Sequence, residues 1–221
     1  MGKLIVIEGV SDGVGKTTQI KELYNRLVKS GREVIYHHFP SYGSVGASLV
    51  EEYLKGNLGK RESIGSYAIS SFYAVDRFYT YHNELKDAIE DGKIVLLDRY
   101  TTSNLIYQGS LFEREKKDEF LDYITDYEYN RLGLKRPDLV IFLKLDKDFA
   151  NTLRKNRDYD GIGGDINEKD TVFLDKVYDN SLYVADKYNF KIIECSKDGA
   201  LRSIDDISRE IYSIVEEELD L

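Results

Sequence analysis

The sequence predicts a doubly wound α/β domain, a five-stranded parallel sheet with helices on both faces. Short continuous apolar runs, such as residues 4–7, are typical of strands that are buried on both faces. They alternate with longer segments, such as residues 17–29, whose apolar positions repeat every three or four residues. Strands that alternate with helices indicate a parallel sheet.

Each element follows from the same patterns, taken in chain order. The predicted strands are residues 4–7, 33–39, 94–97, 139–143 and 190–195, the last being the weakest. The predicted helices are residues 17–29, 45–54, 63–77, 82–90 and a final helix that begins after Ser203. Gly31, Gly56 and Gly92 follow three of these segments, where helix-ending glycines belong.

Composition limits the organisation and the partners of the chain. Its 221 residues suit one domain, residues 1–221, and 42% hydrophobic residues argue against disorder. A formal charge of −9 disfavours a general nucleic-acid binder, and no apolar run approaches the ~20 residues of a membrane span. The single cysteine, Cys195, suits a reducing compartment. We therefore expect a cytoplasmic protein without nucleic-acid or membrane partners.

A glycine-rich segment, residues 8–18 (EGVSDGVGKTT), joins the first predicted strand to the first predicted helix. Backbone N–H groups of such a loop bind phosphate oxygens at the positive end of the helix dipole. Lys16 would reach the β- and γ-phosphates, and Thr17 would ligate Mg²⁺. The candidate ATP-binding residues are Gly13, Val14, Gly15, Lys16, Thr17 and Thr18.

The loop departs from the strict spacing, because Val10 stands where the first glycine belongs and Gly9 lies one position early. The loop is therefore one residue longer or lacks that glycine. The alternative is a helix N-terminus with ordinary turn glycines, but the strand, the Gly-Lys-Thr-Thr sequence and the amphipathic helix occur in the required order. A phosphate loop alone does not separate a kinase from a switch GTPase or a motor ATPase.

Four further segments distinguish among these classes. They are residues 39–42 (FPSY), 72–77 (FYAVDR), 98–104 (DRYTTSN) and 165–170 (DINEKD). With the phosphate loop, they make the chain resemble the thymidylate kinase family, the dTMP-phosphorylating branch of the nucleoside monophosphate kinases, over essentially its whole length. The resemblance implies a P-loop nucleoside monophosphate kinase-like fold with a lid at about residues 150–168, and a homodimer.

The resemblance assigns phosphate and metal contacts to the end of a strand. Asp98 and Arg99 follow the apolar run 94–97, so they lie at the carboxyl edge of the predicted sheet, where α/β folds bind ligands. By the resemblance, Arg99 clamps phosphates and Asp98 lies near Mg²⁺. A structural salt bridge between the two is the alternative.

The resemblance also implies a thymine site. Tyr73 and Arg77 are four residues apart and share a helix face. The family stacks an aromatic residue on thymine at the first position and uses the arginine to hydrogen-bond the base edge. Ser103 and Asn104 match positions that also touch the base. A core aromatic beside a surface arginine is the alternative for Tyr73 and Arg77.

Other positions match contacts with the sugar, the monophosphate and the transferred group. Tyr107 matches an aromatic that crowds the 2′ position, and Tyr42 matches a residue that contacts the monophosphate. Asp12 matches a carboxylate beside the 3′-hydroxyl, and Glu168 one near the metal and the sugar. Gly13 stands where some members carry an arginine, so the lid would supply the catalytic cation, Arg154, Lys155 or Arg157. A solvated charge run is the alternative for these.

We therefore predict transfer of the ATP γ-phosphoryl group to dTMP with Mg²⁺. The predicted catalytic residues are Asp12, Lys16, Arg99, Arg154 and Arg157. Two alternatives stay open: another nucleotide or deoxynucleoside kinase on the same scaffold, and a non-catalytic nucleotide-binding protein with an altered loop.

Overall fold

The computed structural model describes residues 1–10, 14–147, 149–150, 170–197 and 199–220. Its main sheet contains β1 Lys3–Glu8, β2 Val34–His38, β3 Ile94–Asp98, β4 Leu139–Lys144 and β5 Lys191–Glu194. The strands are parallel and lie in the order β2-β3-β1-β4-β5. The predicted fold class is confirmed, and each of these five strands lies at a predicted position.

Helices cover both faces of this sheet. They are α1 Lys16–Lys29, α2 Ser48–Leu54, α3 Arg61–Ile64, α4 Ser66–Thr80, α5 Lys86–Glu90, α6 Thr101–Tyr107, α7 Arg114–Thr125, α8 Thr171–Lys187 and α9 Ile204–Leu219. The π-helical turns Tyr81–Leu85 and Asp126–Arg131 extend α4 and α7, and the 3₁₀ turn Gly109–Leu111 follows α6. A short antiparallel pair, β6 Ser196–Lys197 and β7 Ala200–Leu201, precedes α9.

Alternation along β1 separates two apolar layers. Ile5 and Ile7 pack in the layer formed with α1 and α9, whereas Leu4 and Val6 face the layer of α5. A further apolar cluster joins α6, α7 and α8. Because successive side chains of a strand point to opposite faces, a strand covered on both faces needs the continuous apolar run seen in the sequence.

Three predicted helix boundaries differ from the structure, the first being the helix predicted for residues 45–54, which begins at Ser48. The predicted helix 63–77 is interrupted at Gly65, whose φ is 85°, and then continues past Arg77. The predicted break between residues 77 and 82 is wrong, because the π-helical turn Tyr81–Leu85 joins α4 to α5. No proline or glycine lies between residues 66 and 90, so nothing in that stretch ends a helix.

The strand register brings three chain segments to one edge of the sheet. Ile7 of β1 and His38 of β2 are both paired with Asp98 of β3. The carboxyl ends of these strands therefore meet beside the N-terminus of α1. No helix in the described ranges is both long and apolar enough to cross a membrane.

Candidate functional site

An open cavity of about 280 Å³ lies at the carboxyl ends of β1, β2 and β3. The structure brings ten predicted site residues to its wall: Lys16, Thr17, Tyr42, Tyr73, Arg77, Asp98, Arg99, Ser103, Asn104 and Tyr107. Val10, His38, Phe39, Pro40, Leu54, Tyr100, Gln108 and Leu174 complete the lining. Residues from six segments of the chain thus share one space.

At one end of the cavity, Lys16 opens helix α1 after Gly15, whose φ of 85° is readily adopted by glycine. The Lys16 ammonium donates a hydrogen bond to Asp98 Oδ1. Burial and the nearby Arg99 lower the pKa of Lys16, and Asp98 acts against them. Gly9 is tightly placed, since an added Cβ would lie 3.3 Å from Leu143 O. The lack of a side chain at residue 9 therefore has a packing reason.

Asp98 is buried, yet its surroundings favour the carboxylate. Burial alone would raise its pKa, but a hydrogen bond from His38 and the charge of Lys16 lower it to about 2. His38 Nδ1 lies 3.3 Å from Asp98 Oδ2. The structure thus pairs Asp98 with Lys16 and His38, and the alternative of a salt bridge with Arg99 is wrong.

Arg99 adopts a left-handed backbone with φ 69°, an unusual conformation for a side chain of its size. Its NH1 donates to the Tyr107 hydroxyl at 3.1 Å, and its backbone N–H donates to Ile7 O at 3.2 Å. Burial alone would lower the pKa of Arg99, but Tyr107 and Glu8 outweigh it and raise that pKa. Arg99 is therefore a permanent cation on the cavity wall.

The family implied by the sequence uses Mg²⁺, and the donor set fits that ion. Thr17 supplies an exposed hydroxyl and Asp98 an ionised carboxylate, both hard oxygen ligands. Among the described residues, no three His, Cys, Asp or Glu side chains form a metal-binding group. Mg²⁺ in phosphate-binding sites needs only one or two carboxylates and completes its shell with water and phosphate oxygens.

At the other end of the cavity, Arg77 is 1% exposed. Its Nε and NH2 both donate to Glu128 at 2.6 Å. Burial alone would lower the pKa of Arg77, but Glu128 outweighs it and raises that pKa. The alternative of a surface arginine at this position is therefore wrong. Tyr73 packs edge-on against Tyr53, with ring centroids 6.5 Å apart.

A second buried carboxylate, that of Glu8, lies behind Ser103 of the cavity wall. Glu8 is 0% exposed, and its Oε1 accepts hydrogen bonds from Thr102 at 2.6 Å and from Ser103 at 2.7 Å. The proton of the Ser103 hydroxyl is therefore directed to Glu8 in this structure. Glu8 anchors the start of α6, the helix that carries Ser103, Asn104 and Tyr107.

Sequence reasoning missed Glu8, His38 and Glu128. The end of β1 beside the phosphate loop is a signal that could have indicated Glu8, and the end of β2 could have indicated His38. Glu128 lies in no motif and at no strand end, and it meets Arg77 across 51 residues of sequence. The pattern of the chain contained no signal for it.

Some predicted residues lie elsewhere. Val14 is buried in the core, Gly15 caps α1 and Thr18 is exposed on that helix, all beside the cavity rather than on its wall. The predicted residues Asp12, Gly13, Arg154, Arg157 and Glu168, with Lys155, lie outside the described residues. Cys195 is buried, and burial raises the pKa of its thiol to about 12.

The parallel sheet, the glycine-rich turn from β1 to α1 and a cavity with a cationic end and a polar buried end are those of a P-loop nucleoside monophosphate kinase-like fold. A family model described as thymidylate kinase matches residues 7–211. The chain belongs to the thymidylate kinase family.

Individual relatives agree with this assignment. A probable thymidylate kinase from Thermococcus gammatolerans is 33% identical over 228 residues, covering 99% of this chain and 98% of its own. A thymidylate kinase from Mycobacterium tuberculosis is 33% identical over 155 residues, 70% of this chain and 71% of its own. The solved structure of thymidylate kinase from Candida albicans has a TM-score of 0.74 at 24% identity, covering 99% of this chain and 93% of that chain. That likeness concerns the fold.

Proposed function

We propose that this protein phosphorylates dTMP with ATP, giving dTDP and ADP in dTTP synthesis. Membership of the thymidylate kinase family makes the chain an enzyme and a dTMP kinase. One observation supports the location of the reaction in the molecule. A single cavity joins the cations Lys16 and Arg99 to the buried polar pair Arg77 and Asn104. It therefore offers one end for phosphates and another for a base.

The proposed reaction is an in-line displacement. A bond forms between the γ-phosphorus of ATP and an oxygen of the dTMP phosphate. The bond from that phosphorus to the bridging oxygen breaks, and its electron pair leaves on ADP. The attacking oxygen is already anionic, so the step needs no strong general base. The chain therefore contributes positioning and charge neutralisation.

The residues of the phosphate end divide this work. Lys16 and Arg99 neutralise phosphate charge, and the planar fork of Arg99 suits bidentate contact. Residues 13–18 cradle the ATP phosphates with their backbone N–H groups. Thr17 and Asp98 would hold Mg²⁺, which when bound neutralises charge on the phosphate oxygens. The predicted lid, residues 150–168, supplies Arg154 or Arg157 as a further cation.

The residues of the other end select the nucleoside. Tyr73 stacks on thymine, while Arg77, Ser103 and Asn104 contact its edge. Tyr107 crowds the 2′ position, Tyr42 contacts the monophosphate, and Asp12 and Glu168 approach the sugar. These roles follow the family resemblance. The position of Tyr42, Tyr73, Arg77, Ser103, Asn104 and Tyr107 on one wall supports them.

The experiment is a coupled ADP-release assay with a panel of nucleosides and nucleoside monophosphates. We expect dTMP to be preferred, and a preference for another acceptor would indicate a different kinase on this scaffold.

In K16M, we expect kcat/KM to fall by about 10²- to 10³-fold, because a preorganised cation is lost from the transition state. K21M is the matched control, an exposed lysine on the same helix that should keep full activity. Binding of ATP without formation of dTDP would support the non-catalytic alternative.

We also infer a cytoplasmic homodimer with a single domain. The buried free thiol of Cys195 suits a reducing cytoplasm. Helix α4 exposes large apolar side chains, including Val75 at 46% and Phe78 at 40%. Exposed apolar side chains grouped on one helix support a protein–protein contact.

A further inference from the structure

The carboxylate of Glu128 stands at the centre of a hydrogen-bond network behind the base end of the cavity. Glu128 is 0% exposed and belongs to the π-helical turn Asp126–Arg131. Its Oε2 accepts from Arg77 Nε at 2.6 Å and from Thr101 Oγ1 at 2.7 Å. Its Oε1 accepts from Arg77 NH2 at 2.6 Å and from Asn104 Nδ2 at 2.8 Å. One carboxylate thus receives four donors.

This network fixes which way the Asn104 amide points. Asn104 Nδ2 donates to Glu128 and to the backbone oxygen of Ser70, the latter at 3.1 Å. Both partners are acceptors only, and they use both N–H groups of the amide. Asn104 lines the cavity, and its Oδ1 is the remaining polar atom of the amide. Asn104 therefore presents an acceptor to the cavity.

The same carboxylate fixes the guanidinium of Arg77. Two parallel N–H···O bonds hold it in a bidentate pair, which restrains its plane as well as its position. The remaining groups of a guanidinium are all N–H donors. On the cavity wall, Arg77 can therefore offer donors only, and Asn104 beside it offers an acceptor.

We propose that Glu128 is a positioning residue that sets base selectivity by holding this donor–acceptor pair, an inference that rests on the proposed function. Thymine presents a donor at N3 and an acceptor at O4. Cytosine presents an acceptor at N3 and an amino donor at C4. The pattern held by Glu128 matches thymine and opposes cytosine, because a mismatched base would leave buried polar groups unpaired.

The test is E128Q, which keeps the size of the side chain but replaces one acceptor oxygen by an amino donor. That amino group must face either Asn104 Nδ2 and Arg77 NH2, or Arg77 Nε and Thr101. In either orientation, the donors that face the new amino group lose their acceptor. We expect the ratio of the dCMP to the dTMP dissociation constant, measured by calorimetry, to fall about 100-fold. The KM for dTMP should rise, while the KM for ATP should stay within about twofold.

The matched control is D126N, an isosteric change in the same turn. Asp126 pairs with Arg131 and Asn130 at the surface and does not reach the cavity wall. It should leave both dissociation constants unchanged. A folded E128Q that keeps the wild-type ratio of the dCMP to the dTMP dissociation constant overturns the proposed role of Glu128. That result would not contradict the proposed dTMP kinase function. A wild-type protein that binds neither nucleotide overturns the proposed function instead.

A second measurement uses the wild-type protein alone and covers the case in which E128Q does not fold. The two side-chain amide protons of Asn104, assigned by their loss in N104D, should exchange slowly with solvent in NMR spectra. Both protons are buried and hydrogen-bonded in the network. Fast exchange of both would overturn the proposed orientation of the amide.

Discussion

Asp98 and Arg99 are neighbours at the end of β3, and the structure assigns them to different partners. Asp98 lies between Lys16 and His38, whereas Arg99 turns to Tyr107 through its left-handed backbone. A positive φ in a non-glycine residue costs free energy, and such residues concentrate at functional sites. The separation keeps the carboxylate beside the start of α1 and the guanidinium on the cavity wall.

The depressed pKa of Asp98 predicts how stability depends on pH. Its pKa is about 2 in the folded protein against an ordinary 3.8, so Asp98 stabilises the fold above about pH 4. This contribution is lost as the pH falls through about 2. We expect the difference in unfolding free energy between wild type and D98N to shrink by about 2 kcal/mol from pH 5 to pH 2. Urea unfolding at a series of pH values measures it.

The comparison of wild type with D98N isolates the contribution of the Asp98 carboxylate. The control is D87N, which removes an exposed carboxylate on α5 and should show a smaller dependence. A difference that does not vary with pH would contradict the ionised, hydrogen-bonded state of Asp98.

The residues of the site differ in how far the sequence could predict them. Lys16, Asp98 and Arg99 lie at a loop and a strand end, where local pattern and topology together indicate ligands. Glu128 becomes part of the site only through tertiary contact with Arg77 and Asn104. A single sequence contains no spacing rule for such a contact, so Glu128 could not be predicted.

At the scale of elements, the strands were predicted well and the middle helices were not. The inner strands β1, β3 and β4 are largely buried on both faces, which gives a clear apolar run, whereas the edge strands β2 and β5 are partly exposed. Helix α7 buries only Phe120, Leu121 and Ile124 among many charged residues, so its periodicity is weak. Helix α8 did have a start signal, since Asp170 accepts a hydrogen bond from the Phe173 backbone at 2.9 Å.

The N-cap of the final helix, α9, should make a measurable contribution to the free energy of unfolding. Ser203 was predicted to cap it, and its Oγ accepts from the Asp206 backbone N–H at 3.1 Å. In S203A that donor loses its partner, so we expect the free energy of unfolding to fall by about 1 kcal/mol. Urea unfolding at neutral pH measures the loss.

Two variants make this comparison specific. S203D keeps a capping oxygen and should restore most of the stability. S213A removes an exposed serine from the body of the same helix and should change the free energy of unfolding by less than about 0.5 kcal/mol. An equal effect of S203A and S213A would contradict a capping role.

At the scale of the whole molecule, the formal charge of −9 is compatible with a cavity for two anionic nucleotides. Lys16, Arg77 and Arg99 all lie on the cavity wall. Local field depends on the placement of charges rather than on their sum, so net charge bears on solubility and on broad polyanion binding. The lack of a nucleic-acid partner therefore stays a prediction from the composition, which could not indicate the focused site.

Helix α4 has a surface suited to contact with a second copy of the chain. Helix α4 carries Tyr73 and Arg77 on the cavity wall, while Val75 and Phe78 remain exposed. Covering such side chains with a second copy removes apolar area from water and stabilises a dimer. We expect sedimentation velocity to give twice the 25.5 kDa chain mass for wild type and one chain mass for F78E.

The control V28E adds the same charge at a similarly exposed apolar residue of α1 and should remain dimeric, because α1 lies on the other face of the sheet. Circular dichroism should show equal helix content in all three proteins. A monomeric wild type would contradict the proposed homodimer. Dissociation of V28E but not F78E would indicate that the dimer contact lies on α1 rather than on α4.

Because the exposed residues of α4 share a helix with Tyr73 and Arg77, loss of the dimer should also raise the KM for dTMP more than the KM for ATP.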